Sequence, residues 1–157
     1  MDARKCAASY LSARPRTEKQ LRDHLARKGC GKEDIRETVA ELKEYGYIDD
    51  REYCRMYFEY GFEKKRGTGR IIRELKDRGV SSDVIECVYS SLEYVPDQYE
   101  AAMSAAVEGA PPPDEEEIAE MPYEERRRLA ARTGRRLASR GFSQDVVYRV
   151  IRKLYRI

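Results

Sequence analysis

The fold is decided by residues 71–85, which read IIRELKDRGVSSDVI. Leu75 and Val80 stand on either side of Gly79 at the spacing of a Schellman cap, where a left-handed glycine ends a helix and the flanking apolar residues meet. A serine follows the cap, and Asp83 comes near the positive end of the helix that starts there. The stretch therefore predicts a helix, a tight glycine turn and a second helix.

The same passage occurs three times along the chain. Its glycine is Gly29, Gly79 and Gly141, each preceded four positions earlier by a leucine and followed four positions later by an acid. Two positions after the acids stand Ile35, Ile85 and Val147, and seven positions later stand Leu42, Leu92 and Leu154. When the three passages are aligned, the same residue types thus recur at the same positions. This recurrence predicts a repeat protein, in which each unit packs on its neighbours.

We predict an all-α tandem array of three three-helix repeats. The repeats are expected at 1–48, 49–95 and 96–157. An offset of 50 residues carries the first repeat onto the second without a gap, whereas the third contains a Pro/Glu-rich insertion at about 108–121. The three prolines and the acidic run of this insertion predict a mobile surface excursion that buries little of itself.

Charge and hydropathy restrict the functional classes. The net charge is only +2, so affinity for a polyanion would have to come from local clustering of cations. No apolar run of about 18 residues is present, so we expect no membrane span. The first residues also lack the apolar segment of a secretory signal. We therefore expect a cytoplasmic protein, and we expect it to be a monomer.

The cysteines and the single histidine do not form a metal-binding pattern. Cys6, Cys30, Cys54 and Cys87 contain no C-x-x-C pair, and His24 alone cannot complete a usual zinc set. The chain also has no Gly-rich phosphate loop and no Ser/His/Asp grouping. We expect packed, free thiols in a reducing compartment, no cofactor or metal, and no enzymatic activity.

The candidate binding residues are cations in the central helices of the second and third repeats. Arg66, Arg70 and Arg73 are spaced i, i+4, i+7, which would place them in one stripe opposite Ile71 and Leu75. The predicted partner- or DNA-binding residues are Lys64, Lys65, Arg66, Arg70, Arg73, Lys76, Arg128, Arg132 and Arg135. Recurrence at matched columns favours a polyanionic partner, either nucleic-acid phosphates or an acidic protein groove. A purely solvated face is the alternative.

Four segments are specific enough to compare with known families. They are GYIDD at 46–50 followed by Tyr53, KRG at 65–67 followed by Arg70-Ile71 and Glu74-Leu75, RGFS at 140–143, and YLSxRPRTExxL at 10–21. Together they resemble the RecX family, bacterial regulators of the recombinase RecA. The resemblance implies an elongated and curved helical array that binds in the groove of the RecA–DNA filament and inhibits strand exchange and ATP hydrolysis. The insertion at 108–121 departs from the family, whose members usually continue in helix there.

Two further functions stay open at this point. The helix–glycine turn–helix passages, such as 17–45, superficially resemble helix-turn-helix motifs and would suit a DNA-binding transcription regulator. Acids early in the helix after each turn, namely Glu33, Asp83 and Asp145, disfavour phosphate contacts there. The other alternative is a helical-repeat scaffold that binds no nucleic acid. Whether DNA is contacted directly through the basic stripes is also left open.

Overall fold

The structure, a computed structural model, describes residues 2–157. Its helices are α1 (Ala3–Ala13), α2 (Glu18–Arg27), α3 (Lys32–Glu44), α4 (Asp50–Glu63), α5 (Thr68–Asp77), α6 (Ser82–Ser91), α7 (Gln98–Gly109), α8 (Glu115–Glu120), α9 (Tyr123–Ser139) and α10 (Gln144–Tyr155). These residues contain ten helices and no strand, which confirms the all-α prediction. None of the helices in this range is long and apolar enough to cross a membrane.

The three glycine turns fold as Schellman caps. At the central turn, Gly79 has a φ of 90°. The amide of Val80 donates to the carbonyl of Leu75 at 3.1 Å, and the amide of Gly79 donates to the carbonyl of Lys76 at 3.0 Å. Leu75 and Val80 are both buried. Equivalent bonds and a left-handed glycine occur at Gly29 and Gly141. The repeated passage therefore forms the same local structure each time.

The starts of the helices follow the capping signals in the sequence. Asp2 accepts a hydrogen bond from the amide of Arg4 at the start of α1. Thr17 and Gln20 form the reciprocal capping box that opens α2. Ser81 accepts from the amide of Val84 at the start of α6. At these three helices, side chains close in sequence thus satisfy amides that have no partner within the helix.

Two compact units divide α4 and α5 between them. The first comprises the chain up to Tyr57 together with Glu74–Leu92, and the second comprises Phe58–Arg73 together with Glu93–Ile157. Each compact unit thus contains helical segments from two neighbouring sequence repeats. The boundaries proposed for the repeats at 48 and 95 stay a prediction.

In the first compact unit, the start of α2 is bound to the next repeat by two hydrogen bonds. The hydroxyl of Thr17 donates to the carbonyl of Arg78 at 2.6 Å, next to the glycine of the Schellman turn. The amide of Glu18 donates to the carboxylate of Asp50 at 2.9 Å. Both donors belong to the first turn of α2, so the capped end of the helix also forms the joint between repeats.

The second compact unit repeats this joint 50 residues later in the chain. The amide of Gly67 donates to the carbonyl of Arg140 at 2.8 Å, and the amide of Thr68 donates to Oε1 of Gln98 at 3.1 Å. A Cβ added to Gly67 would lie 2.4 Å from the carbonyl carbon of Gly141. Only glycine permits so close an approach of the two backbones.

Apolar clusters hold each unit together. The buried residues of one cluster in the first unit are Ala7, Leu21, Leu25, Ile35, Val39 and Ile48. The corresponding cluster in the second unit consists of Ala102, Ala105, Ala106, Leu137, Phe142, Val147 and Val150. The three alanines all belong to α7, and their small side chains let this helix lie close to α9 and α10.

The insertion at 108–121 is more ordered than the sequence led us to expect. Helix α7 continues through Gly109, and residues 110–114, which contain the prolines, separate it from α8. Asp114 then caps α8 by accepting a hydrogen bond from the amide of Glu117 at 2.8 Å. The prolines thus stop one helix without preventing the next.

Ile118 anchors α8 to the second compact unit. Its side chain is 3% exposed and belongs to a cluster with Ala130 of α9 and Tyr155 of α10. The hydroxyl of Tyr155 is hydrogen-bonded in turn to that of Thr133 at 2.6 Å. The expectation that the insertion buries little of itself holds for its other residues, which are exposed or half-buried, and fails at Ile118, which reaches a core.

We expect Ile118→Ala to lower the free energy of unfolding by about 2–4 kcal/mol, through lost apolar burial and the cavity left behind. Urea denaturation followed by circular dichroism measures this change. The control is Glu116→Ala on the exposed side of α8, which should change stability by no more than about 0.5 kcal/mol. Equal stability of the two variants would show that α8 does not pack as described.

Candidate partner-binding surface

The loop between α4 and α5 holds the first of the predicted cations. Helix α4 ends in a Schellman cap in which Lys65 takes the left-handed position with a φ of 57° and the amide of Arg66 donates to the carbonyl of Gly61 at 2.9 Å. Helix α5 begins only at Thr68. Arg66 therefore lies in the loop, and the helical stripe expected from Arg66 onward loses its first member because the chain must turn here.

The ring of Tyr60 is in contact with two cations of this loop. The guanidinium carbon of Arg66 is 5.1 Å from the ring centroid of Tyr60, and Nζ of Lys64 is 5.8 Å from it. The same contact occurs 50 residues earlier, where Arg16 lies 4.0 Å from the ring centroid of Tyr10. Because both repeats use this arginine to cover a tyrosine, Arg66 has a packing function in addition to its charge.

Lys65 and Lys64 also have contacts within the second compact unit. The ammonium group of Lys65 forms an ion pair with the carboxylate of Glu108 on α7. The carbonyl of Lys64 accepts a hydrogen bond from the guanidinium of Arg140 at 3.2 Å. These contacts fix the loop, and Glu108 offsets the charge of Lys65.

The predicted cations of α5 differ in their surroundings. Arg70 is half-buried, and a Cβ added to Gly141 would lie 2.2 Å from its Cβ, so Arg70 forms part of the joint described above. Arg73 is exposed one turn later. Lys76 is also exposed but belongs to the first compact unit. Of the predicted cations on α5, only Arg73 is an exposed residue of the second unit.

Helix α9 carries the other predicted cations on its solvent face. It contains six arginines, and its two glutamates are both in the first turn. Arg128, Arg132 and Arg135 are exposed and lie within about 60° of one another around the helix axis. The buried residues of α9, Ala130, Thr133 and Leu137, occupy the opposite side. The i, i+4, i+7 spacing thus produces the predicted stripe on α9.

The exposed cations of the second unit differ from many in the first unit in lacking acidic partners. Ion pairs in the first unit are Arg4–Glu41, Lys19–Asp23, Arg22–Glu18, Arg36–Glu33, Lys43–Glu18 and Arg55–Glu52. Among residues 2–157, no carboxylate lies within 4.0 Å of the side-chain nitrogens of Arg73, Arg128, Arg132 or Arg135. We call these four residues the unpaired arginine set.

Glu18 shows how completely some charges of the first unit are offset. Its carboxylate binds Lys43 at 2.8 Å and Arg22 at 3.0 Å. The hydrogen bond from Lys43 is the main cause of the lowered pKa of Glu18. These two cations would have to give up an internal partner before they could bind another anion.

The thiols are free, and three of the four are packed. Cys6 and Cys30 lie against the apolar cluster of the first unit, and Cys54 is buried. Burial raises the pKa of Cys54 to about 11, which keeps this thiol protonated and unreactive. Cys87 is exposed, so the packing interpretation does not extend to it. Within the described residues, no three acidic, histidine or cysteine side chains are placed to hold a metal ion.

Sequence reasoning missed a second basic face, on α10. Arg149, Arg152 and Lys153 are exposed there. Their i, i+3, i+4 spacing is visible in the sequence. They lie on the last helix of the third repeat, whereas the predicted cations of that repeat lie on its central helix.

Comparison with known proteins gives domain matches and named relatives. The model described as "RecX, first three-helix domain" matches residues 3–42, and that described as "RecX, second three-helix domain" matches residues 49–88. The regulatory protein RecX of Bacillus licheniformis is 38% identical over 103 residues, 65% of this chain and 39% of that protein. The RecX protein of Caldanaerobacter subterraneus is 38% identical over 91 residues, 58% of this chain and 46% of that protein. The chain thus spans less than half the length of these relatives.

A solved structure shares the fold. The crystal structure of RecX from Lactobacillus salivarius matches with a TM-score of 0.75 and 23% sequence identity, covering 99% of this chain and 96% of that one. At this identity the likeness concerns the fold alone. The two domain models match tandem segments that together make up just over half of the chain. This chain therefore belongs to the RecX family of regulatory proteins.

Proposed function

We propose that this chain regulates the recombinase RecA by binding the RecA–DNA filament, and that its effect is inhibitory. The observation that carries the proposal is the unpaired arginine set, Arg73, Arg128, Arg132 and Arg135, in a family of regulatory proteins. Exposed cations without internal partners bind an anionic surface without first breaking an ion pair. A filament of protein on DNA presents such a surface through its phosphates and its acidic side chains.

The predicted cations contribute to different degrees in this proposal. The unpaired arginine set meets the filament directly. Lys64, Arg66 and Arg70 adjoin it in sequence but also hold the loop and the joint of the second unit. Lys65 is offset by Glu108 and contributes least.

A DNA-binding transcription regulator is the weaker alternative. The helices that follow the glycine turns carry acids in their first turn, namely Glu33 and Asp34, Asp83, and Asp145. A recognition helix usually brings its first turns to the DNA, where these carboxylates would face phosphates. The placement of the acids therefore favours the filament over a DNA operator.

Co-sedimentation with RecA tests the proposal. We expect the chain to sediment with RecA assembled on single-stranded DNA, and to lower its DNA-dependent ATP hydrolysis in proportion to its concentration. Free RecA without DNA serves as the control and should retain less of the chain. A chain that binds duplex DNA equally well with and without RecA would favour the transcription regulator. A chain that binds neither DNA nor the RecA filament would favour the helical-repeat scaffold that binds no nucleic acid.

A further inference from the structure

Helices α7 and α10 border a shallow groove in the second compact unit, with a volume of about 510 Å³. The groove does not involve the unpaired arginine set. Its lining consists of Tyr99, Arg149, Arg152, Lys153 and Ile157. Three cations, an aromatic ring and an aliphatic side chain thus surround one depression.

Tyrosine rings hold the two guanidinium groups at the groove. The guanidinium carbon of Arg149 lies 4.5 Å from the ring centroid of Tyr99, and that of Arg152 lies 5.4 Å from that of Tyr148. Contact with a ring face orients a guanidinium and leaves its N–H groups available to an acceptor. Tyr148 lies beside the groove and is itself 56% exposed, so a flat ligand can reach its ring.

The cations of this groove form no ion pair with any of the described residues. Over the described range 2–157, no carboxylate comes within 4.0 Å of the side-chain nitrogens of Arg149, Arg152 or Lys153. The last turn of a helix favours cations, which accounts for Arg152 and Lys153. It does not account for Arg149, which lies a turn earlier. The cations also occupy the solvent face, since Val147 and Val150 are buried on the other side of α10.

We infer that this groove binds single-stranded nucleic acid. The three cations bind consecutive phosphates, and an unpaired base stacks on the exposed ring of Tyr148. Cations interleaved with accessible aromatic rings are the usual combination for single strands. In a duplex the bases are already stacked on one another, so none would reach Tyr148. The inference goes beyond the proposed function, because it requires no recombinase.

The first test measures binding of a fluorescent oligothymidylate to the chain alone by anisotropy. Arg149→Gln, Arg152→Gln and Lys153→Gln together should weaken binding at low salt by at least about ten-fold, and should reduce the slope of log affinity against log salt by about 2. The matched control replaces Arg4, Arg36 and Arg55 by glutamine, which changes the net charge equally. That control should keep its affinity within about two-fold. An equal loss of affinity in the two triple variants would show that this groove is not the binding site.

The second test uses Tyr148→Trp, since the chain contains no other tryptophan. Stacking of a base should quench the indole fluorescence when the oligothymidylate is added, whereas inorganic polyphosphate should leave it unchanged. Unchanged fluorescence at saturating oligothymidylate would overturn the inference. Equal quenching by a polyglutamate peptide would also overturn it, because the groove would then fit an acidic protein segment.

Discussion

Arg73→Glu, Arg128→Glu and Arg132→Glu together are expected to weaken inhibition of RecA's DNA-dependent ATP hydrolysis by about ten-fold or more. Each substitution turns a favourable contact with an anionic surface into a repulsive one. The thermal transition should hardly change, since exposed charges of this kind contribute only about 0–1 kcal/mol to folding. Inhibition curves recorded at two salt concentrations measure the effect, and high salt should reduce the difference between variant and parent.

The control is a triple charge reversal at Arg4, Arg36 and Arg55 of the first unit. These arginines already pair with glutamates. The net charge changes by the same amount in both variants. If only the Arg73, Arg128 and Arg132 variant loses inhibition, the effect depends on where the arginines lie and not on the net charge. Full inhibition by the Arg73, Arg128 and Arg132 variant would mean that these residues form only a solvated face. Arg70 is left unchanged because its backbone packs on Gly141.

Gly67→Ala is expected to destabilise the chain by at least about 4 kcal/mol, above the usual 1–3 kcal/mol for overpacking. The new methyl group would lie 2.4 Å from the carbonyl of Gly141 and 2.5 Å from the amide nitrogen of Phe142. Both neighbours are backbone atoms and cannot rotate away. The substitution should therefore open the joint and break the hydrogen bond from Gly67 to Arg140.

Gly29→Ala provides the comparison, and urea denaturation measures both variants. Gly29 has a φ of 85° but no heavy atom within 4 Å of the position of an added Cβ. Alanine there suffers only the left-handed strain, about 1–2 kcal/mol. If Gly67→Ala destabilises no more than Gly29→Ala, the close approach of the two backbones is not present in solution.

The joints between repeats in the two compact units use the same kind of hydrogen bond. Thr17 and Gly67 occupy the same column and both donate to the carbonyl that precedes a capping glycine, one through a hydroxyl and the other through an amide. The Schellman turn thus ends a helix and also presents a carbonyl that accepts a hydrogen bond from the preceding repeat. Aligning the sequences of the repeats does not reveal that Thr17 and Gly67 have equivalent functions, because the two residue types are chemically unlike.

The candidate site was only partly predictable. The sequence indicated the cations of α5 and α9, because periodicity places residues on a common helix face whatever the rest of the fold does. The sequence could not show which of these cations have an acidic partner. Lys65 pairs with Glu108, whereas Arg73 and Arg128 have no carboxylate partner among residues 2–157. That separation depends on which acid another helix brings near.

By itself, the sequence determined the family, together with the helices and caps outside the insertion at 108–121. The capping box at Thr17 and the turns at Gly29 and Gly79 were predictable because their hydrogen bonds join residues only a few positions apart. Only the tertiary structure decided that Ile118 is buried and that Gly67 meets Gly141. These contacts join residues far apart in the chain, and no local signal marks them, because they form only when whole helices pack together.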